Sequence, residues 1–326
     1  RGLGDVYKRQ DLFSPIAVAL SVCGSMVHVG AALGTWKLAR WDHLEAAGVI
    51  LTTLHCWSWY QRLGVKRVAE KEAAHWQEAR DLELQIERLK IDAVERDLEF
   101  ARELQQSSEP TDGPMVIGQH TARIFQRAYQ TIGGDWFGMR KLDGDRTLFV
   151  VADVNGKGMP AAMVAQSLQT LWMKSLDDHQ FDPIGWLHRV NRAMCTMGQR
   201  EPYTLTLAMV IVDQKSLTYI SAGHVPLYLI HDLTGLKSVQ QVLVKGSPVG
   251  FNANLEVAQV TVPLPTGDNY AIMFGSDGII NHQMRRNRRL VLDFAQALRD
   301  HGPQAVIDYP EADDKTLVWL ESHRAA

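Results

Sequence analysis

The chain has 326 residues, a net charge of −3 at neutral pH and 46% apolar residues. This length and composition allow one large domain or two smaller ones with a substantial core. The absence of a broad basic excess argues against a nucleic-acid-binding protein. Cys23, Cys56 and Cys195 are too far apart for a metal-binding motif or a disulfide framework, which favours a reducing compartment.

The amino-terminal part has the composition of a membrane anchor. Residues 1–10 contain GDVYKRQ, which resembles a translated sequencing adapter, and we expect them to be a non-native leader. Residues 13–36 contain no charged side chain and could cross a hydrocarbon core of about 30 Å as a helix. A shorter apolar run follows at 46–61, and aromatic residues lie near its ends. We therefore predict a membrane helical hairpin over residues 11–64; the alternative is a buried hairpin of a soluble domain.

Basic residues set the expected orientation of this hairpin. Four of them follow the second apolar run: Arg62, Lys66, Arg67 and Lys71. Such a bias is typical of the cytoplasmic side. We expect a protein of the bacterial cytoplasmic membrane, with everything after residue 62 in the cytoplasm.

Residues 65–106 contain no glycine or proline and have the apolar spacing of a coiled coil. A seam of apolar residues is formed by Ala79, Leu82, Ile86, Leu89 and Ala93. The phase slips after Ala93, and the seam resumes with Leu98, Ala101 and Gln105. We predict a coiled-coil signalling helix over 65–108 that forms a homodimer, because so narrow a seam buries little by itself; a single solvated helix is the alternative.

The composition changes after the helix-breaking segment SSEPTDGP at 107–114. Strand-like runs occur at 147–152, 204–212, 217–220, 226–230, 257–262 and 270–274, and helical runs at 160–176, 183–198 and 290–300. Hairpin-like pairs of strands with helices between them predict an α+β domain with antiparallel sheets over residues 115–322.

Acidic residues stand next to several of these strands: Asp135 in GGDW, Asp153 in VVADVNGKGMP, Asp277 in MFGSDGI, and Asp313 and Asp314 in EADDKTLVWL. Each alone could be an ordinary turn residue, which is how we interpret DGD at 143–145. Two like charges 4 Å apart cost about 4 kcal/mol at an effective dielectric of about 20, so a converging set would need a cation. Oxygen ligands favour Mg²⁺ or Mn²⁺, and two such ions can activate water for phosphoryl transfer.

Glycines accompany these acidic residues. Gly133 and Gly134 would allow close backbone approach to the site. Gly156 and Gly158 predict a tight strand-to-helix turn, with Pro160 near the first helical position. Lys157 adds a cation there, and a helix amino terminus beside the ions could help to hold a phosphate.

These segments resemble the SpoIIE-like serine phosphatases of the PPM (metal-dependent protein phosphatase) class. GGDWF, VADVNGKGMPAAMVA, TLTLAMVIVD, YISAGHVPLYLI, KGSPVGF, FGSDGI and DDKTLVWL occur in the order seen in that family, and the resemblance runs from about residue 98 to 321. It implies a four-layer α-β-β-α sandwich and a site for two Mn²⁺ or Mg²⁺ ions. It also implies hydrolysis of phosphoserine or phosphothreonine on a protein, commonly an anti-sigma-factor antagonist of the STAS fold. Together with the apolar amino-terminal run, this predicts a membrane-tethered phosphatase.

The resemblance also implies roles for individual residues. Asp153 would bridge both ions, and the carbonyl of Val154 would contact one of them. Asp277 and Asp313 would complete the second site, with Asp314 the less certain member of its pair. Asp135 would hold a coordinated water or a further ion. The family has no protein nucleophile, in agreement with the absence of a Ser-His-Asp or Cys-His pattern.

Two departures from the family pattern put an accessory metal in doubt. Gly138 stands where the family often has a second acid, and IINHQ follows the third motif without an acid. Two further features keep open interpretations. The MRRNRRL segment at 284–290 is either a solvated loop or a contact for an acidic partner or phosphopeptide, and His224 is either a structural hydrogen-bonder or a catalytic residue.

The sequence is compatible in part with two other functions. GGDW suggests a nucleotide cyclase, but Trp136 occupies the place of the second acid that such an enzyme needs. A catalytically silent scaffold or sensor with the same fold is the more serious alternative. For the enzyme, we expect the helical lead-in to dock on the phosphatase domain and to set whether the metal site is complete.

Overall fold

The structure, a computed structural model, describes residues 43–107, 113–197, 203–233, 235–236, 238–267 and 269–322. The chain divides into two compact units, Arg1–Asp92 and Ala93–Ala326. The expected leader at 1–10 and the charge-free run at 13–36 lie outside the described residues.

One helix, α1, extends from His43 to Gln106. The helix continues past residue 64, because a lone Gly64 costs only about 1 kcal/mol within a helix and no proline breaks the segment. The hairpin over residues 11–64 stays a prediction. Within the described residues, no helix combines the length and the apolar character that crossing a bilayer requires.

The part of α1 in the first unit presents its apolar seam to solvent. Leu82 is 58% exposed and Leu89 is 65% exposed. A partner chain would bury this seam, and the homodimer stays a prediction.

The second unit contains two antiparallel sheets. Its strands are β1 (Met115–Ile117), β2 (His120–Arg127), β3 (Trp136–Lys141), β4 (Thr147–Val154), β5 (Leu205–Val212), β6 (Ser216–Ala222), β7 (Leu227–His231), β8 (Ser238–Val242), β9 (Ala258–Pro263), β10 (Tyr270–Gly275) and β11 (Lys315–Ser322). One sheet has the order β1-β2-β11-β10-β7-β8 and the other has the order β3-β4-β5-β6-β9. Every strand pair is antiparallel, so the predicted α+β class is confirmed.

Helices cover the outer faces of both sheets. They are α2 (Met159–Ser175), α3 (Pro183–Met197), α4 (His282–Arg286), α5 (Arg288–His301) and α6 (Pro303–Ile307). The inner faces of the sheets meet around Phe149 and Phe274. The five-stranded sheet packs on α2 and α3 around three tryptophans, and the six-stranded sheet packs on α4 to α6. These three apolar layers give the predicted α-β-β-α sandwich.

The central strands are apolar on both faces because both faces are covered. β4 reads TLFVVADV, and all but one of its residues are buried. β5 reads LTLAMVIV and is buried at six of its eight positions. The first polar side chains therefore appear where these strands end, and this is where the acidic residues lie.

Candidate active site

Strand register brings the acidic residues to one edge of the sandwich. Trp136 pairs with Ala152, so Asp135 at the start of β3 lies across from Asp153 at the end of β4. Gly275 pairs with Leu317, so the segment after β10, with Asp277, meets the segment before β11, with Asp313 and Asp314. The charges of neighbouring carboxylates act on Asp135 and Asp153, as the pKa shifts of these two residues show below. The predicted convergence therefore has a simple origin in antiparallel pairing.

Asp135 is the most deeply buried of these carboxylates, with 4% of its surface exposed. Its Oδ2 atom is buried and has no hydrogen-bond partner in the described part of the chain. Burial raises the pKa of Asp135 to about 7, and the nearby charge of Asp314 raises it further, whereas Ser276 and Thr316 oppose the shift. A buried, unpartnered carboxylate oxygen has a lone pair available for a cation.

Asp153 and Asp277 form a hydrogen-bonded carboxyl pair. Burial raises the pKa of Asp153 to about 9, and the charges of Asp135, Asp277 and Asp313 act in the same direction. Burial and Asp313 also raise the pKa of Asp277, while its hydrogen bond from Asp153 and the charge of Arg285 lower it. Burial and these charges therefore favour the protonated form of Asp153 in the absence of a cation.

A lysine lies beside Asp313. Lys157 Nζ is 3.0 Å from Asp313 Oδ1, and it donates a hydrogen bond of 2.7 Å to the carbonyl of Ala312. The hydrogen bond that Lys157 donates to Asp313 raises the pKa of Lys157. Lys157 belongs to the predicted strand-to-helix turn, which is present: Gly158 precedes α2, and a proline occupies its first turn.

Asp314 has a different role from its neighbour. Its Oδ1 atom accepts a hydrogen bond of 2.8 Å from the backbone N–H of Tyr129, and its Oδ2 atom accepts one of 2.6 Å from Gly134. A side chain at Gly133 would place its Cβ 3.0 Å from the Asp314 carboxylate. Asp314 therefore holds in place the loop that carries Asp135. The sequence alone could not distinguish this positioning role from metal binding.

The backbone around the site is packed closely. A Cβ at Gly134 would lie 3.3 Å from the carbonyl oxygen of Val154. This carbonyl, which is a predicted metal ligand, therefore lies beside the loop of Gly133 and Gly134. A Cβ at Gly278 would lie 2.0 Å from the carbonyl oxygen of Asp314. Glycine at these positions is what allows the three loops to meet, as predicted for Gly134.

The donor set suits a divalent cation, although the ligands are not yet arranged around one. Among the described residues, no three histidine, cysteine, aspartate or glutamate side chains already form a metal-ligand group. Two contacts explain this, because the Asp153–Asp277 and Lys157–Asp313 pairs hold carboxylates in bonds that an ion would replace. The repulsion among these carboxylates and the unpartnered oxygen of Asp135 are features that Mg²⁺ or Mn²⁺ would relieve.

Gly138 departs from the family pattern for a steric reason. A Cβ there would approach the ring of Trp136 to 2.5 Å and the ring of Trp172 to 3.0 Å. These rings and Trp186 form the centre of the outer core beneath α2 and α3. An acid at this position would displace the tryptophans, so this chain cannot offer the accessory ligand.

His224 is a buried hydrogen-bonder between the two sheets. Its Nε2 atom donates to the carbonyl of Gly275 at 3.0 Å, and its Nδ1 atom accepts from the Thr206 hydroxyl at 2.7 Å. Burial lowers its pKa to about 4, so the ring is neutral at physiological pH. Both ring nitrogens are committed, which favours the structural interpretation.

Two positioning residues escaped the sequence analysis. The amide of Gln105 in α1 donates to the Gly133 carbonyl at 2.8 Å, and its oxygen accepts from the Gly133 N–H at 3.2 Å. The Ser276 hydroxyl donates to the Asp314 carbonyl at 3.3 Å and accepts from the Thr316 N–H at 3.0 Å. The contact of Gln105 could have been predicted from its position as a polar residue within an apolar seam. Nothing in the sequence indicates the role of Ser276.

Comparisons with known proteins agree with this architecture. The family model for stage II sporulation protein E (SpoIIE) matches residues 143–320. The phosphoserine phosphatase RsbP of Bacillus subtilis (strain 168) is 23% identical over 238 residues, which are 72% of this chain and 55% of that protein. The phosphoserine phosphatase RsbU of the same organism is 27% identical over 187 residues, 57% of this chain and 54% of that protein. The chain thus spans about half the length of these curated relatives.

Two solved structures have the same fold. The SiaA-PP2C domain of Pseudomonas aeruginosa has a TM-score of 0.55 at 20% identity, covering 71% of this chain and 98% of that one. The serine/threonine phosphatase Stp1 from Staphylococcus aureus has a TM-score of 0.51 at 13% identity, covering 67% and 99%. At these identities the likeness establishes a PP2C-like fold. Since the SpoIIE model covers more than half of the chain, this protein belongs to the SpoIIE family of serine phosphatases.

Proposed function

We propose that this protein is a serine/threonine phosphatase that hydrolyses a phosphorylated protein with the help of two divalent ions. The observation that carries the proposal is the meeting of Asp135, Asp153, Asp277 and Asp313 at one edge of the sandwich. Burial and mutual repulsion raise the pKa of Asp153 to about 9, which is a large cost unless a cation offsets it. Perturbed carboxylates of this kind are typical of functional sites.

Each part of the site has a defined task in this proposal. The four carboxylates and the carbonyl of Val154 would hold the ions. When bound, Mn²⁺ or Mg²⁺ supplies a Lewis acid that polarises the phosphate and lowers the pKa of water. To hold an ion, Asp153 would have to lose its proton to solvent, because a coordinating carboxylate must be ionised.

Other residues hold the surroundings in place. Asp314 and Gln105 keep the loop of Gly133 and Gly134 in position through their bonds to its backbone. No side chain caps the first turn of α2, so its N–H groups can donate hydrogen bonds to a phosphate oxygen. Lys157 stands at the same turn and adds a positive charge.

The substrate is proposed from the relatives. RsbP and RsbU are phosphoserine phosphatases, which supports a phosphoserine or phosphothreonine protein as substrate. A STAS-type anti-sigma-factor antagonist is the specific candidate. The membrane tether rests on the charge-free run at 13–36, and the homodimer rests on the exposed seam of α1.

The test is turnover of para-nitrophenyl phosphate with Mn²⁺, compared between the unaltered protein and Asp153→Asn. We expect the variant to lose more than about a hundredfold in kcat/KM, since even residues that only support metal ligands contribute 10- to 100-fold. If the unaltered protein shows no turnover of this ester or of a phosphoserine protein, the silent scaffold becomes the better explanation.

A further inference from the structure

The four arginines of the segment 284–290 lie directly after the Asp277 loop and have no task in the proposed chemistry. Met284 is 1% exposed and belongs to the core, whereas Arg285, Arg286, Arg288 and Arg289 are all exposed. Arg289 is already neutralised by Asp293, with its Nε atom 2.9 Å from Oδ1. In the part of the chain that the structure describes, Arg285 and Arg286 form no ion pair or hydrogen bond through their guanidinium groups.

These two arginines are held rigidly beside the site. The N–H groups of Ile279 and Ile280 donate to the carbonyl of Ser276, which closes the Asp277 loop. Asn281 then caps α4 by accepting from the N–H of Met284 at 2.9 Å, and its amide donates to Glu311 at 2.8 Å. The loop, the cap and the buried methionine leave α4 little freedom to move relative to Asp277.

The arginines point to different parts of the surface. Successive helical residues are about 100° apart, so Arg285 and Arg286 leave α4 in different directions once Met284 is turned into the core. The charge of Arg285 acts on Asp277 and on the hydroxyl of Tyr228, which places it on the side of the carboxylates. Arg286 lies one step further round the helix. We call these two exposed arginines, Arg285 and Arg286, the docking strip.

We propose that Arg285 and Arg286 bind acidic side chains that flank the phosphorylated residue of the substrate protein. This inference rests on the proposed phosphatase function. Guanidinium groups pair well with carboxylates, and two of them that leave the helix in different directions can contact two positions of an extended peptide. Their freedom from internal partners means that no ion pair must break when the substrate docks.

The decisive experiment compares two phosphoserine peptides that differ only at their flanking residues, Asp and Glu in one and Asn and Gln in the other. We measure kcat/KM with Mn²⁺ for the unaltered protein, for Arg285→Gln/Arg286→Gln and for Arg192→Gln, an exposed arginine on α3. Exposed ion pairs contribute about 0.2–1 kcal/mol each, so two should give the acidic peptide an advantage of roughly tenfold at low salt. The double variant should lose this preference, and Arg192→Gln should keep it.

Para-nitrophenyl phosphate separates flank recognition from phosphate binding. It has no flanking residues, so its hydrolysis reports any effect of the double variant on the site itself, including the loss of the Arg285 charge near Asp277. The loss on the acidic peptide should exceed the loss on this ester. Equal losses on this ester and on both peptides would assign the arginines to the phosphate and overturn the proposal. So would an unaltered protein without preference, or an equal loss of preference in Arg192→Gln.

A binding measurement keeps this test independent of turnover. Fluorescence anisotropy of the labelled peptides should show the same preference for the acidic peptide in the unaltered protein and its loss in the double variant. A protein that binds with this preference but hydrolyses neither peptide would contradict the proposed function and support the docking strip. Equal binding of both peptides would refute the docking strip whatever the turnover.

Discussion

Asp153→Asn should stabilise the protein when divalent ions are removed, although it should destroy the phosphatase activity. The carboxyl of Asp153 is ionised in the unfolded chain above pH 3.8, but in the folded protein its pKa is about 9. Between these values folding must take up a proton. Asparagine has the shape of the protonated acid and can donate the same hydrogen bond to Asp277, so the variant avoids this requirement.

The size of the effect follows from the pKa of Asp153. The folded state binds more protons than the unfolded state, so stability is complete below pH 3.8 and falls as the pH rises towards 9. Each pH unit in this window costs about 1.4 kcal/mol, so the difference between the two proteins should reach about 4 kcal/mol at pH 7. For a domain of this size that corresponds to about 10 °C in Tm.

Thermal unfolding in EDTA between pH 4 and 8 measures this difference. The two proteins should have similar melting temperatures at pH 4. As the pH rises, the melting temperature of the variant should exceed that of the unaltered protein by a growing margin. The matched control is Asp143→Asn, which changes an exposed carboxylate in the turn between β3 and β4 and should leave the curve unchanged. Titration of His224 cancels, since it is the same in all three proteins.

Added Mn²⁺ provides the second half of the test. The unaltered protein should gain stability in proportion to the logarithm of the ion concentration above its Kd, and Asp153→Asn should gain little. Equal melting temperatures of the two proteins across the pH range in EDTA would mean that Asp153 bears no unfavourable charge. That result would remove the main support for the proposed metal site.

Three further perturbations test the surroundings of the site. Gln105→Ala should lower stability by about 1–3 kcal/mol, because two hydrogen bonds are lost. It should also raise the Mn²⁺ concentration needed for half-maximal activity. The control Gln106→Ala, at the exposed neighbouring residue, should change neither quantity. Gly138→Asp should cost at least about 2 kcal/mol in urea unfolding, because it displaces tryptophan rings; a stable variant with tighter Mn²⁺ binding would contradict this. Because the pKa of His224 falls to about 4, its contribution to stability should fall by up to about 3 kcal/mol between pH 6.5 and pH 4, against the opposite contribution of Asp153. His224→Gln should therefore gain stability relative to the unaltered protein as the pH falls over this range in chemical denaturation.

The sequence predicts strands with a clear apolar pattern, including the edge strand β9, whose residues alternate in exposure. β4, β5 and β10 read as continuous apolar runs, and each was predicted to within a few residues. β2 was missed, because it reads HTARIFQR and alternates between buried and partly exposed positions with polar residues at both. β1 and β8 were also missed. They are short strands at the edges of their sheet, where fewer apolar contacts are needed.

The acidic site was predictable as a set but not in its division of labour. Motif order and the positions at strand ends brought Asp135, Asp153, Asp277 and Asp313 together in the prediction, and antiparallel register explains why they meet. The sequence could not separate Asp313 from its neighbour Asp314. Adjacent residues point in different directions, and only the loop opposite decides which one accepts backbone hydrogen bonds.

The change in phase along α1 carries information that the sequence analysis interpreted only in part. The seam slips after Ala93, and this is where the second unit begins. Before the slip the seam residues are exposed, whereas Leu98, Ala101 and Gln105 after it are half-buried within the second unit. A helix that must face one partner and then another has to rotate its apolar stripe, and a shift in heptad phase is the way to do so.

Gln105 occupies an apolar position of the second seam, which also contains Leu98 and Ala101, although it is polar. At an apolar interface a buried amide is costly unless both its donor and its acceptor are satisfied. Here the backbone of Gly133 satisfies both, and a glycine is the residue whose backbone a side chain can approach most closely. A polar residue in phase with an apolar seam therefore indicates a specific backbone contact, and in this chain that contact lies two residues from Asp135. Any movement of the lead-in helix that breaks the contact would release the loop that presents this carboxylate, which is the physical basis for expecting the helix to regulate the site.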